Sequence, residues 1–168
     1  MMHIKKILVL ILLCIVGVNS IQAQDIDAEK HIRLNLDTWH KAAAEAQFDA
    51  YFNLMTTDAV FVGTDASEHW DLEAFKAYSK PHFDAGKAWS FSALERHIYL
   101  ANATLAWFDE LLTTQMGVCR GSGVMKLENG SWKVAHYVLS ATIPNNKMNA
   151  VSALKSKDDS DIISAFSR

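Results

Sequence analysis

Residues 129–136 read Asn129-Gly130-Ser131-Trp132-Lys133-Val134-Ala135-His136. Asn-Gly is a strong two-residue turn signal, because both residues tolerate positive φ and the turn they make suits the twist of paired strands. It predicts a hairpin between strands over 117–128 and 131–143. Upstream, 89–100 and 103–113 have the same strand-like composition, and the spacing of the four runs predicts an antiparallel meander.

Before Trp89 the period is that of a helix. Ile32, Leu36, Trp39, Ala43 and Ala46 recur at three- and four-residue steps within 25–47, with Lys30, Arg33, Asp37, Lys41 and Glu45 on the other side. A shorter helix is expected over 48–55, then a brief β-rich run over 59–62 closed by Gly63. A third helix over 71–82 has Asp71 as N-cap and Glu73 in its first turn. Helices followed by a long antiparallel sheet make an α+β architecture with the helices on one face. The polar tail from Lys147 is expected to begin with a turn or two of helix over 148–154 and to end loosely.

The chain has 168 residues, half of them hydrophobic, which suits one domain. No repeat divides it, and it has only two prolines. Lys5 and Lys6, the apolar run 7–18 and the small residue Ala23 predict an export leader over 1–23, with cleavage near Ala23. Twelve residues of helix rise only about 18 Å, short of a hydrocarbon core of ~30 Å, so the run does not read as a membrane anchor. The mature domain is then expected over 24–146, the tail over 147–168, and the destination as secreted or periplasmic.

Loss of Lys5 and Lys6 lowers Lys plus Arg from 16 to 14 against 19 acids, changing the net charge from −3 to −5. That mild acidity points away from nucleic acid and from anionic membranes. Cys14 leaves with the leader, so Cys119 stands alone and no internal disulfide is expected. A buried, inert Cys119 and a reactive thiol are the two readings of it.

Several strings resemble SnoaL-like domains of the nuclear transport factor 2-like superfamily. These are Gln47-Phe48-Asp49-Ala50-Tyr51 with Thr57-Asp58-Ala59-Val60-Phe61-Val62-Gly63, then Trp70-Asp71-Leu72-Glu73-Ala74-Phe75, Cys119-Arg120-Gly121-Ser122-Gly123-Val124, and the ending Gly130-Ser131-Trp132-Lys133-Val134-Ala135-His136. The resemblance spans 25–145. It implies an α+β cone in which three N-terminal helices pack on a strongly bent antiparallel sheet, and often a homodimer through the outer sheet face. It implies no single activity, since the superfamily includes isomerases, dehydratases, cyclases and non-catalytic assembly domains, the calcium/calmodulin-dependent kinase II association domain among its distant relatives.

Strand alternation sorts the candidate site residues. With Lys133 outward, Trp132, Val134 and His136 point into the cone. With Trp107 taken as inward, Asp109 is inward too, and Asp109 with His136 would form a polar centre able to do acid–base work. A bulge would reverse such an assignment. A register-holding buried pair is the plainer reading of the same two residues. Trp39, Tyr51, Phe61, Trp70, Phe75, Tyr78 and Trp107 are candidate wall residues, each also ordinary core. Arg120 either lies on the outer face, paired with an acid, or enters the cone to bind a carboxylate.

The outer face is expected to carry Phe108, Leu112, Val124, Tyr137 and Leu139, and to make a dimer. No metal spacing, cofactor fingerprint or nucleophile elbow is present, so no metal or cofactor is expected. Two functions remain open: an exported binder of a small apolar or aromatic ligand, with possible turnover at His136 and Asp109; or a non-catalytic assembly domain whose cone is plugged by Trp39 and Trp107.

Overall fold

The computed structural model describes residues 25–167. The expected leader lies outside the described residues.

Helix α1 (25–44) is amphipathic as its periodicity requires, with Ile32, Leu36, Trp39 and Ala43 each at most 1% exposed. It ends in a Schellman turn: Gln47 N donates to Ala42 O, Ala46 N donates to Ala43 O, and Ala46 takes the left-handed conformation at φ 52°. Helix α2 (Phe48–Asn53) follows, then strand β1 (Met55–Val62) and the short strand β2 (His69–Asp71). Helix α3 (Leu72–Asp84) starts at the predicted cap, where Asp71 Oδ1 accepts a 2.8 Å hydrogen bond from Ala74 N.

The four long strands are β3 (Phe91–Asn102), β4 (Leu105–Thr114), β5 (Gly117–Glu128) and β6 (Ser131–Ala141). They pair as the antiparallel meander predicted, and Asn129 and Gly130 both have positive φ in the last turn. The full sheet runs β2-β1-β6-β5-β4-β3. One pairing departs from an all-antiparallel sheet: β1 lies parallel to β6, reached by the crossover through β2, α3 and the meander. The core sits on the concave face, where α1 to α3 meet the sheet.

Two differences from the sequence reading matter. β1 begins at Met55 rather than 59, and β2 was not foreseen; three residues give too short a pattern to detect. The tail carries a 3-10 turn (Asn145–Lys147) and then helix α4 (Met148–Phe166), far longer than the turn or two expected. None of its residues is buried. Cys119 is buried and unbridged, 3.5 Å from Thr114 Oγ1.

Candidate functional site

Which side chains enter the cone is decided by two strands. Along β4, Ala106, Phe108, Glu110 and Leu112 are buried, so this face is inward. Trp107 is 49% exposed on the other face and Asp109 lies beside it. The reading that put Trp107 and Asp109 inside is therefore corrected. It assumed that the larger aromatic marks the core, whereas the outer face has its own aromatic pair: Trp107 stacks on Tyr99 at 5.7 Å.

Along β6, Trp132 and Val134 point inward as expected, but the register with β5 slips between Val124/His136 and Met125/Val134. Ala135 is the extra residue of this bulge. Alternation resumes one step out of phase, so Tyr137 and Leu139 are buried and His136 faces outward. His136 and Asp109 do not meet. Asp109 instead lies 3.3 Å from His97 Nδ1 and 3.8 Å from Arg120 Nη1 on the outer face. Arg120 takes the outward of its two orientations, because Cys119, Gly121 and Gly123 need the inward side; a Cβ on Gly121 would collide with the Tyr137 hydroxyl. By the same shift Phe108, Leu112, Tyr137 and Leu139 are core rather than outer face, and only Val124 of that group stays outward.

A buried polar centre does exist, built from residues the sequence did not single out. Glu110 is 0% exposed and accepts three hydrogen bonds, from His40 Nε2 at 2.7 Å, Tyr137 Oη at 3.0 Å and Arg96 Nε at 2.8 Å, while Arg96 Nη2 lies 2.8 Å away as an ion-pair contact without hydrogen-bond geometry. Arg96 also donates to Asp37 Oδ1 at 2.7 Å, which fastens β3 to α1. Burial pushes the Glu110 carboxyl up, but the hydrogen bond and charge of His40, with the charge and hydrogen bond of Arg96, outweigh it and hold it below the usual carboxylate range. The Tyr137 hydroxyl is raised well above the usual phenol value, first by burial and then by the charge of Glu110.

The candidate binding space is an aromatic cavity of about 150 Å³ at the mouth of the cone. Phe61 (β1), Trp70 (β2), Phe75 and Tyr78 (α3) line it with Trp89, Phe91, Leu139 and Met116 of the β4–β5 turn. The β1–β2 pairing sets Trp70 beside Phe61. Phe61 stacks on Phe75 at 4.1 Å and Trp70 on Tyr78 at 4.5 Å. Glu68, Thr64 and Gln115 give its rim polar atoms. Of the expected wall residues, Phe61, Trp70, Phe75 and Tyr78 are here. Trp39 and Tyr51 are not on its surface; they stack on each other at 4.9 Å inside the core, with Trp39 edge-on to Tyr137.

A larger hollow, about 350 Å³, lies between the first turns of α1 and the β5–β6 turn, with Asp25, Asp27, His31 and Asn35 among its walls and none of the expected site residues. Among the described residues no cluster of three His, Cys, Asp or Glu has the arrangement of a metal site.

A SnoaL-like domain family matches residues 32–144. Among solved structures, an NTF2-like protein of unknown function from Pseudomonas putida superposes with TM-score 0.62 at 17% identity, over 71% of this chain and 90% of that one. A putative scytalone dehydratase from Novosphingobium aromaticivorans gives TM-score 0.62 at 11% identity, over 73% and 89%. A putative calcium/calmodulin-dependent kinase II association domain from Exiguobacterium sibiricum gives 0.55 at 16%, over 70% and 95%. These likenesses establish the fold alone. No curated protein sequence matches. The order of helices, the bent six-stranded sheet and the matched span together place this chain in the SnoaL-like domain family, within the NTF2-like fold.

Proposed function

We propose that the protein binds a small, flat, apolar molecule about one ring in size in the aromatic cavity at the mouth of the cone. The observation that carries this reading is the pair of stacked walls, Phe61 on Phe75 and Trp70 on Tyr78, around a space of about 150 Å³. An apolar cavity of about that size in an unrelated protein takes up benzene. Flat π-faces favour an aromatic guest in offset or edge contact, and the rim atoms of Glu68, Thr64 and Gln115 suit a single polar substituent. Turnover is no part of this reading, since Asp109 and His136 lie away from the cavity.

A screen of one-ring compounds (phenol, aniline, toluene, benzyl alcohol) by thermal shift and tryptophan quenching tests it. Ligand at ten times its Kd should add about 1.4 kcal/mol of stability, and Trp70→Ala should abolish the effect. A screen without a stabilising compound at millimolar concentration, or Trp70→Ala giving the same hits, would overturn it.

The assembly reading is favoured by a separate observation. Tyr99 and Trp107, stacked and 44% and 49% exposed, sit with the 44% exposed Val118 on the outer sheet face. We propose that this face, rather than the residue set first expected there, pairs two copies of the chain. Light scattering should report twice the chain mass, and Trp107→Lys the monomer. We also propose export through the leader over 1–23; intact mass of protein from its host should lack those residues.

A further inference from the structure

One member of the buried polar centre, His40, also lines an open cleft. Between α1 and the start of β3 is a cleft of about 300 Å³, lined by Asp37, His40, Lys41, Ser90, Phe91 and Ser92 among others. Phe91 lines both this cleft and the aromatic cavity, and so is the partition between them. We propose that the cleft is a second, chemically distinct site, in which His40 accepts a hydrogen bond from the hydroxyl of a small uncharged molecule.

The Glu110 carboxylate accepts only, so the hydrogen shared with His40 Nε2 belongs to the imidazole. Arg96 Nε donates to the other oxygen of the same carboxylate, so both carboxylate oxygens are engaged. In this tautomer the lone pair is on Nδ1, which has no hydrogen-bond partner among the described residues, and His40 lines the cleft. A buried carboxylate fixing one ring nitrogen while the other serves as base is the logic by which an imidazole is oriented for proton transfer. Glu110 is then a positioning residue and His40 the group that touches the substrate.

The walls indicate the substrate class. Asp37 accepts from Arg96 and Lys41 lies 3.6 Å from Glu45, so each wall charge already faces a partner of opposite sign and the two walls carry no excess of either sign. Ser90 and Ser92 bring hydroxyls that can give or accept a hydrogen bond from an alcohol.

The test uses p-nitrophenyl acetate as a probe of a free, basic imidazole nitrogen. Nδ1 attacks the ester carbonyl carbon, the bond to the aryl oxygen breaks, and p-nitrophenolate leaves with the electron pair. Water then cleaves the acetyl-imidazole to acetate. Acid quenching followed by mass spectrometry should find acetyl on the tryptic peptide 34–41, whose only histidine is His40. His40→Gln should remove the p-nitrophenolate burst. Ser92→Trp, an exposed position, should fill the cleft and block acetylation without touching the core. Acetyl on the His97 or His136 peptides but none on 34–41, or an undiminished burst in Ser92→Trp, would overturn the proposal. None of these outcomes depends on the aromatic cavity.

Discussion

His40 Nε2 stands 2.7 Å from Glu110 Oε1, tying α1 to β4 at a point where Glu110 has no exposed surface. A carboxylate there is tolerable only because three hydrogen-bond donors, one of them the Arg96 guanidinium, converge on it, and breaking one side of such a pair strands the other. Glu110→Ala should therefore cost about 3–5 kcal/mol, read as a drop in the urea midpoint at constant slope. The pH dependence has a definite sign. The folded carboxyl titrates below the ordinary glutamate range, so its stabilisation is complete above that range and disappears as pH falls through the lower, folded value. Acid unfolding of Glu110→Gln should lack this component; an acid limb identical to wild type would contradict the assignment.

Two of the four tyrosines answer to the opposite end of the pH scale. Burial raises Tyr51 and Tyr137 well above the usual phenol value, and Glu110 adds to the effect at Tyr137. A raised folded value favours the fold below the unfolded phenol range and loses it as pH climbs through the folded value. Ultraviolet titration should show Tyr51 and Tyr137 silent until the protein unfolds in base, and then ionising together with the loss of circular dichroism. Four phenols titrating smoothly before unfolding would count against a closed core.

Gly121 is required for clearance, not for its backbone angle. It faces inward between Tyr137 and Glu110, and an added Cβ would meet the Tyr137 hydroxyl and crowd Glu110 Cγ. Gly121→Ala should displace the Tyr137–Glu110 hydrogen bond and destabilise by about 1–3 kcal/mol. Combined with Tyr137→Phe, the loss should be less than additive, because the two changes act on one contact. Strict additivity in a double-mutant cycle would refute this account.

The order and type of the long elements were legible because each rests on a local signal. Asn129-Gly130 can make only a tight turn, and the stripe from Ile32 to Ala43 can bury only one way. Half of the aromatic cavity was legible for the same reason: Phe61, Trp70, Phe75 and Tyr78 sit on elements whose faces are set locally. The polar centre was not. On β4 both alternating sets contain bulky apolar residues, and the choice between Asp109 and Glu110 turned on whether Trp107 or Phe108 marks the core. On β6 one extra residue at Ala135 reversed the phase, and nothing in a Val-Ala-His string announces a bulge. Arg96, on a strand whose far face is exposed, would be read as a solvated charge. Only its meeting with Glu110 across the sheet makes it part of the core.

Ala46 holds a conformation that suits glycine. At φ 52° in the Schellman turn after α1, its Cβ crowds the backbone at a cost of roughly 1–2 kcal/mol. Glycine would relieve this but loses a partly buried methyl and gains freedom when unfolded. The balance predicts that Ala46→Gly stabilises by about 0.5–1 kcal/mol, visible as a rise in the melting temperature. Val at the same position, β-branched and strongly averse to positive φ, should lower it.

Helix α4 should be separable from the rest. Nineteen residues long, it buries none of them, and Leu154 and Phe166 are each 84% exposed. A helix without packing has only its own propensity and the Lys155–Asp159 and Lys157–Asp161 pairs to hold it, each worth about 0.3–0.5 kcal/mol. Amide exchange through α4 should be fast compared with that of β4 and β5, whose opening requires the whole sheet to part. A chain ending at Asn146 should keep the melting temperature of the intact protein. If truncation lowers that temperature, or α4 amides prove protected, the helix is docked on a surface that its own chain does not provide, and a concentration series would show whether that surface belongs to a second copy.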